Sequence, residues 1–358
     1  MAGGAGATNK EHRLARPPRC EAGRGGCRDM KIAVLGDGGW GTTLSILLHS
    51  KGYSVSLWGA FPDYVSYLDK KRINTKFLPQ IKIPRDIEIT PSLKDVIYDK
   101  ELIIFAIPSQ YLRAVLKKVK QLDYSRGVIY LSVIKGIETG SLKRMSEVIH
   151  DEIGNVRLAV LSGSTIAYEV AKEIPTTAII ASDDKNLRKY LQGIFMTERF
   201  RIYTNKDVIG VELGGSLKNI IAIACGISDG LDFGTNTKAA ILSRGLVEIS
   251  RLGYAMGARV ATFSGISGLG DLVTTCISPY SRNRYVGEQI GKGKTFKQII
   301  AHMQMVAEGV PTTQSAYALS LKYKVDMPIT KEVYSVLYKN KSPEKAVQDL
   351  MTREKKEE

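Results

Sequence analysis

Two regimes of hydrophobic patterning divide the chain. Up to residue 205, short apolar runs alternate with stretches whose apolar positions recur every three or four residues. Lys31–Leu35 (KIAVL) and residues 53–58, 101–107, 127–133, 157–161 and 176–182 are short and nearly continuous in their apolar content, and read as buried strands. Residues 42–50 and 110–120 carry helical spacing. Strands alternating with helices imply a mainly parallel, doubly wound sheet. From Asp207 the strand signal fades, and helices are expected over 208–228, 236–256, 258–265, 283–291, 295–301, 311–323 and 330–337. The expected plan is an α/β N-terminal domain over 30–205, an all-α C-terminal domain over 206–345 and a charged, frayed tail over 346–358.

One segment of the helical half stands apart. Residues 208–229 read VIGVELGGSLKNIIAIACGISD, and between Leu213 and Ser228 the only charged side chain is Lys218. A helix apolar on every side is normally buried. A buried ammonium either loses basicity or takes a partner. Its neighbours three and four residues away are Gly214, Gly215, Ile221 and Ala222, and a glycine inside a helix costs about 1 kcal/mol against alanine. Close approach of another group to that face is the expected reason. Two readings of Lys218 stand at this point: a stem snorkelling out of a core helix, or a functional amine held in the interior.

The first strand runs into Gly36-Asp-Gly38-Gly-Trp-Gly41, a GxGxxG turn followed by a helix and a second strand. In that context Gly36 permits the tight turn, Gly38 lets the backbone approach a pyrophosphate, and Gly41 lets helix and strand pack closely. The phosphates would sit on the helix N-terminus. This predicts a Rossmann-type first domain with NAD or NADP as cofactor, the alternative being a glycine turn in an α/β domain that binds no nucleotide. An NAD site commonly places Asp or Glu some twenty residues on, at the ribose hydroxyls. Here the second strand runs into Leu57-Trp-Gly-Ala60-Phe-Pro-Asp63, with no carboxylate and no arginine at its tip, so the choice stays open. Lys135 and Thr165 each follow a strand, on the edge where such sheets bind ligands; singly, each fits a solvated loop as well. Ser281, Arg282 and Asn283 at a helix start offer donors to an anion, and equally fit an N-capped surface helix.

Composition narrows the partners. The 358 residues are 44% hydrophobic and carry +15 net charge, from 51 Lys+Arg against 36 Asp+Glu. That excess suits anionic ligands, and its even spread weighs against nucleic acid. Cys20, Cys27, Cys225 and Cys276 form no CxxC pair, zinc spacing or disulfide framework, so no metal is expected and a reducing, cytoplasmic setting is. No apolar run approaches the ~18 residues of a membrane span, so no stable membrane insertion is expected. Residues 1–29 are Arg-, Gly- and Ala-rich without the apolar core of a secretory signal, and are expected to be a disordered leader. A nucleotide-binding domain joined to helices around a buried lysine suggests hydride transfer, the lysine handling the proton.

The segments GDGGWGTTL, KGIETG, LSGSTIAYEV, IGVELGGSLKNIIAIACGISDGL, GISGLGDLVTTC, SRNRYVG and VAEGVPTT strongly resemble those of the soluble NAD(P)-dependent glycerol-3-phosphate dehydrogenases, in order, from about Met30 to about Lys341. The resemblance implies reversible reduction of dihydroxyacetone phosphate to sn-glycerol 3-phosphate for phospholipid synthesis. It implies Lys218 as proton donor and acceptor. Lys135, Gly163, Thr165, Asp271, Ser281, Arg282 and Asn283 would bind substrate, and Gly39, Trp40, Lys135, Ala167, Arg282, Val306 and Glu308 would touch the cofactor. Gly214 and Gly215 would leave room for nicotinamide and substrate beside the helix. A homodimer is the assembly expected. Three positions depart from the pattern: Ser164 replaces a proline, Asp37 replaces a small residue between the first glycines, and Ala60 stands where relatives place Arg or His near the adenosine. The competing readings are another Rossmann-type ketone or 2-ketoacid reductase, disfavoured by the SRNR clamp, and a non-catalytic dinucleotide sensor, which needs no buried lysine.

Overall fold

A computed structural model describes residues 30–122, 127–301, 303, 306–355 and 357, so the expected leader lies outside the described residues. Ten strands are present among them: β1 (Lys31–Leu35), β2 (Ser54–Trp58), β3 (Ile73–Asn74), β4 (Leu78–Lys82), β5 (Glu88–Thr90), β6 (Leu102–Phe105), β7 (Ile129–Ser132), β8 (Arg157–Ser162), β9 (Thr176–Ala181) and β10 (Phe200–Asn205). Eight form one sheet in the order β10-β9-β8-β7-β6-β1-β2-β5, parallel throughout except between β8 and β9; β3 and β4 form a separate antiparallel pair. Helices α1 (Gly39–Ser50), α2 (Pro62–Lys71), α3 (Leu93–Ile97), α4 (Leu112–Lys120), α5 (Met145–Ile153), α6 (Ala167–Ala171) and α7 (Lys185–Phe195) are interleaved with the strands. The central strands are buried along their length, which is why they read as continuous apolar runs.

After β10 the chain is helical: α8 (Val208–Gly230), α9 (Thr235–Ala255), α10 (Val260–Phe263), α11 (Asp271–Ile277), α12 (Arg282–Gly291), α13 (Phe296–Ala301), α14 (Gly309–Tyr323), α15 (Pro328–Tyr338) and α16 (Pro343–Met351). Several elements lacked a strong periodic signal. The short β5 and the β3–β4 pair belong to this group, as does α16, whose residues 346–351 were expected to fray. They are held instead by the Ser342 cap and burial of Ala346. Helix α1 begins at Gly39 rather than Thr42, because the glycine turn itself winds into the first helical turn.

Helix α8 is the axis of the second half. Every residue from Gly210 to Ser228 is buried. As a helix it is long and apolar enough to span a bilayer, with mean hydropathy 1.5, which the interrupted apolar run in the sequence conceals; yet 89% of its apolar window is covered by the rest of the fold. It is a core helix. Its contact with α12 is made of glycines: a Cβ on Gly226 would collide with the Arg284 carbonyl, and one on Gly287 with the Ile223 carbonyl. Backbone therefore meets backbone, with no side chains between. At its N-terminal end, Glu212 accepts from Ser146 N (2.8 Å) and Oγ (2.6 Å) and pairs with Arg144, tying α5 of the sheet half to α8.

The glycine crossing gives a direct test. Gly226→Ala should destabilise the fold by about 1–3 kcal/mol through overpacking, seen as a lowered Tm, where an exposed helical glycine would gain stability on the same change. An unchanged or raised Tm would show that α12 shifts aside freely.

Candidate active site

The strand order reverses at β1, which lies between β2 and β6, and ligands of such sheets sit in the crevice beyond the carboxyl ends at that point. Gly36 leaves β1 at φ +127°, a conformation that L side chains avoid, and a Cβ there would collide with the Ala106 carbonyl. Gly41 packs against Gly36 in the same way. In front of Gly38 there is open space, and α1 starts behind it with no side-chain cap and no acidic residue in its first turn. This uncapped N-terminus beside an open glycine fits a dinucleotide pyrophosphate. Trp40 turns inward, edge-on to Phe200 with centroids 6.4 Å apart, and its Nε1 is buried without a partner. Ala167 lies beside the same turn, its carbonyl accepting from Thr43 Oγ1 at 3.1 Å.

Across the crevice, three charged side chains meet. Asp271, at the start of α11 and 1% exposed, receives Lys135 Nζ on Oδ2 and Lys218 Nζ on Oδ1, each at 2.7 Å. Lys135 also donates to the Gly163 carbonyl (2.8 Å) and to Thr165 Oγ1 (3.2 Å). Lys218 donates to Thr275 Oγ1, which in turn donates to the Asp271 carbonyl at 2.7 Å. The snorkelling reading of Lys218 fails: its stem stays inside and its amine ends on buried partners. Burial pushes the Lys135 amine down to about 8, against the pull of Asp271 and with the help of Lys218. Two amines share one carboxylate, so the cluster carries a net positive charge.

Gly214 and Gly215 do not leave room for a ligand. A Cβ on Gly214 would collide with the Ser267 carbonyl and lie 3.4 Å from Gly268 Cα; one on Gly215 would collide with Ser162 Oγ and sit 3.5 Å from the Lys135 stem. These glycines let the turn at Ile266–Gly270 and the end of β8 close on α8, which brings Asp271 and Lys135 to Lys218.

The remaining candidates lie at the rim. Arg282 is exposed and donates to the Val306 carbonyl at 3.0 Å. Ser281 caps α12 by accepting from Arg284 N at 3.2 Å. Asn283 is largely spent inside the fold: its amide donates to Asn219 Oδ1 and its oxygen accepts from Gly309 N, both at 2.9 Å. Of the three expected anion donors, only Arg282 presents an exposed side chain. Glu308 accepts from Ser109 N (2.9 Å) and Ser109 Oγ (2.5 Å), bridging the sheet loop after β6 to the start of α14; burial raises its carboxyl above the usual range, against the Ser109 donors. Thr275 and Asn219, which donates to the Lys135 carbonyl at 3.3 Å, were not singled out from the sequence. Thr275 follows Asp271 by four residues on one helix, a spacing that carries the signal once α11 is recognised.

Residues 31–188 match the family described as NAD-dependent glycerol-3-phosphate dehydrogenase N-terminus, and residues 207–348 the one described as its C-terminus. The chain is 50% identical over 332 residues to glycerol-3-phosphate dehydrogenase (NAD(P)+) of Prosthecochloris aestuarii, covering 92% of this chain and 100% of that one. It is 49% identical to the enzyme of the same name from a Thermoanaerobacter species, covering 92% and 99%. Among solved structures it is similar to glycerol-3-phosphate dehydrogenase from Coxiella burnetii, with TM-score 0.88 at 38% identity over 91% of this chain and 100% of the other.

Asp271 offers a test of the cluster that needs no reaction. Asp271→Ala strands two amines in the interior and should cost about 3–5 kcal/mol at neutral pH, with part of the loss recovered at alkaline pH as the Lys135 amine discharges. Equal Tm values for variant and wild type would mean that solvent, not Asp271, neutralises the pair.

Proposed function

Because the chain belongs to the NAD-dependent glycerol-3-phosphate dehydrogenase family, we propose that it reversibly reduces dihydroxyacetone phosphate to sn-glycerol 3-phosphate with NAD(P)H, with Lys218 moving the proton. The observation that carries the proton assignment is the convergence of Lys218 and Lys135 on one buried carboxylate, Lys135 following β7 at the carboxyl edge of the sheet. When bound, the nicotinamide supplies or takes the hydride. Everything else falls to the chain. Lys218 delivers a proton to the developing alkoxide, and Asp271 and Thr275 hold its amine in place. Lys135 adds positive charge beside the same oxygen, and Gly163 and Thr165 hold its amine. Arg282 at the exposed rim meets the substrate phosphate, and Asn283 acts through Asn219 and Gly309 by fixing the start of α14. Ser281 sets the helix that carries Arg282. Gly36, Gly38, Gly39, Trp40, Gly41, Ala167, Val306 and Glu308 line the dinucleotide's path. The product would serve phospholipid synthesis in the cytoplasm. Two described cysteines, Cys225 and Cys276, are free and buried, in keeping with that setting. A homodimer completes the proposal.

A second assignment, with Lys135 as the proton carrier, is favoured by its lowered basicity alone. The two are separable. Lys218→Ala should lower kcat by about 10²–10⁴-fold with dihydroxyacetone phosphate while dinucleotide binding holds, the range expected for loss of a general acid. Near-normal turnover would remove Lys218 from the proton path.

The pH profile follows from Lys135. Its positive charge is present below about 8 and lost above it. The kcat/KM for ketone reduction should therefore fall as pH rises through that value. Lys135→Arg keeps the charge at every working pH and should move this limb upward; a limb still at about 8 would assign it elsewhere.

A further inference from the structure

We infer that Asp37 selects NAD(H) over NADP(H), by supplying from the glycine turn the ribose-facing carboxylate that β2 lacks. The inference rests on the dinucleotide reading of the crevice given above. Gly36 N donates to the Trp58 carbonyl at 2.9 Å, which pins the turn beside the end of β2. The Asp37 carbonyl accepts from Asn74 Nδ2 at 2.8 Å and from Thr42 Oγ1 at 3.4 Å, so the main chain is held from two sides and the side chain has a set direction. That direction is toward Gly59, the first residue after β2. A Cβ on Gly59 would collide with Asp37 Oδ2 and approach Val65 Cγ2 to 2.5 Å. Position 59 stands some twenty residues beyond the glycines, where an acidic residue commonly reaches the adenosine ribose. Here that position is a glycine, and the space a side chain would take is filled by the carboxylate of Asp37.

The carboxylate is short of donors. Oδ2 is buried with no hydrogen-bond partner, and burial raises the carboxyl above its usual range, with Lys76 opposing. Lys76 is itself drawn over the Tyr64 ring, 4.4 Å from its centroid. A ribose 2′-hydroxyl brings a donor to this group. A 2′-phosphate brings only acceptors and like charge, which a partly desolvated carboxylate repels strongly.

The test is equilibrium binding of NADH and of NADPH to the full chain, by titration calorimetry, for wild type, Asp37→Asn and Asp37→Ala. Wild type should bind NADH at least about tenfold more tightly, and both variants should lose most of that ratio, chiefly by binding NADPH better. Because the turn is held through the main-chain carbonyl, the variants should keep the wild-type melting temperature. Equal affinities in wild type, a preference for NADPH, or an unchanged ratio in Asp37→Asn would each overturn the inference. Wild type binding neither dinucleotide would overturn the dinucleotide reading itself, and the inference with it.

Discussion

A carboxylate buried between two ammoniums sets the terms for the rest of the structure. Desolvating any one of the three charges alone would cost several kcal/mol, so none of them is stable in the interior without the others. Asp271 comes from the helical half, Lys135 from the loop after β7, and Lys218 from the middle of the most buried helix. Bringing them within 2.7 Å requires the sheet edge and the helices to meet at one place. The surplus positive charge there is what an anionic ligand or a developing alkoxide would meet.

Helix α8 makes that meeting possible with residues that look costly in isolation. Its glycines at 214 and 215 weaken the helix but admit the turn and strand end that carry Asp271 and Lys135. Apart from Ser228, whose buried hydroxyl has no partner, its buried polar residues reach a neighbour. Glu212 takes the Arg144 and Ser146 donors, and Asn219 links the Lys135 main chain to Asn283 and thence to Gly309. The next residue back, Glu308, reaches across to Ser109 on the sheet side. A set of hydrogen bonds thus joins the lysine–aspartate cluster to the rim.

How much of this was legible depended on sequence distance. The glycine turn and the lone lysine in an apolar helix are local signals, spelled within a few consecutive residues, and the doubly wound sheet followed from strand spacing. The partners of those residues were not local. Ser109 and Glu308 are 199 residues apart, Lys135 and Asp271 136 apart, and no periodicity links them. The space beside Gly214 and Gly215 was read as room for ligand because a sequence shows the missing side chain but not what fills the gap. The tip of β2 looked empty of charge for the same reason: its carboxylate arrives from a different turn.

The glycine seam between α8 and α12 acts as a ruler. Its backbone contacts limit how closely the helix bearing Lys218 can approach the helix start bearing Arg282. Most sites adjust their reach by exchanging a side chain for one a methylene longer or shorter. At Gly226 and Gly287 there is no side chain to exchange, and any addition there pries two backbones apart. Under the proposed assignment of Lys218 and Arg282, the length of substrate that can touch both ends is set largely by main-chain geometry, and divergence toward longer or shorter anions would begin by rebuilding a helix crossing.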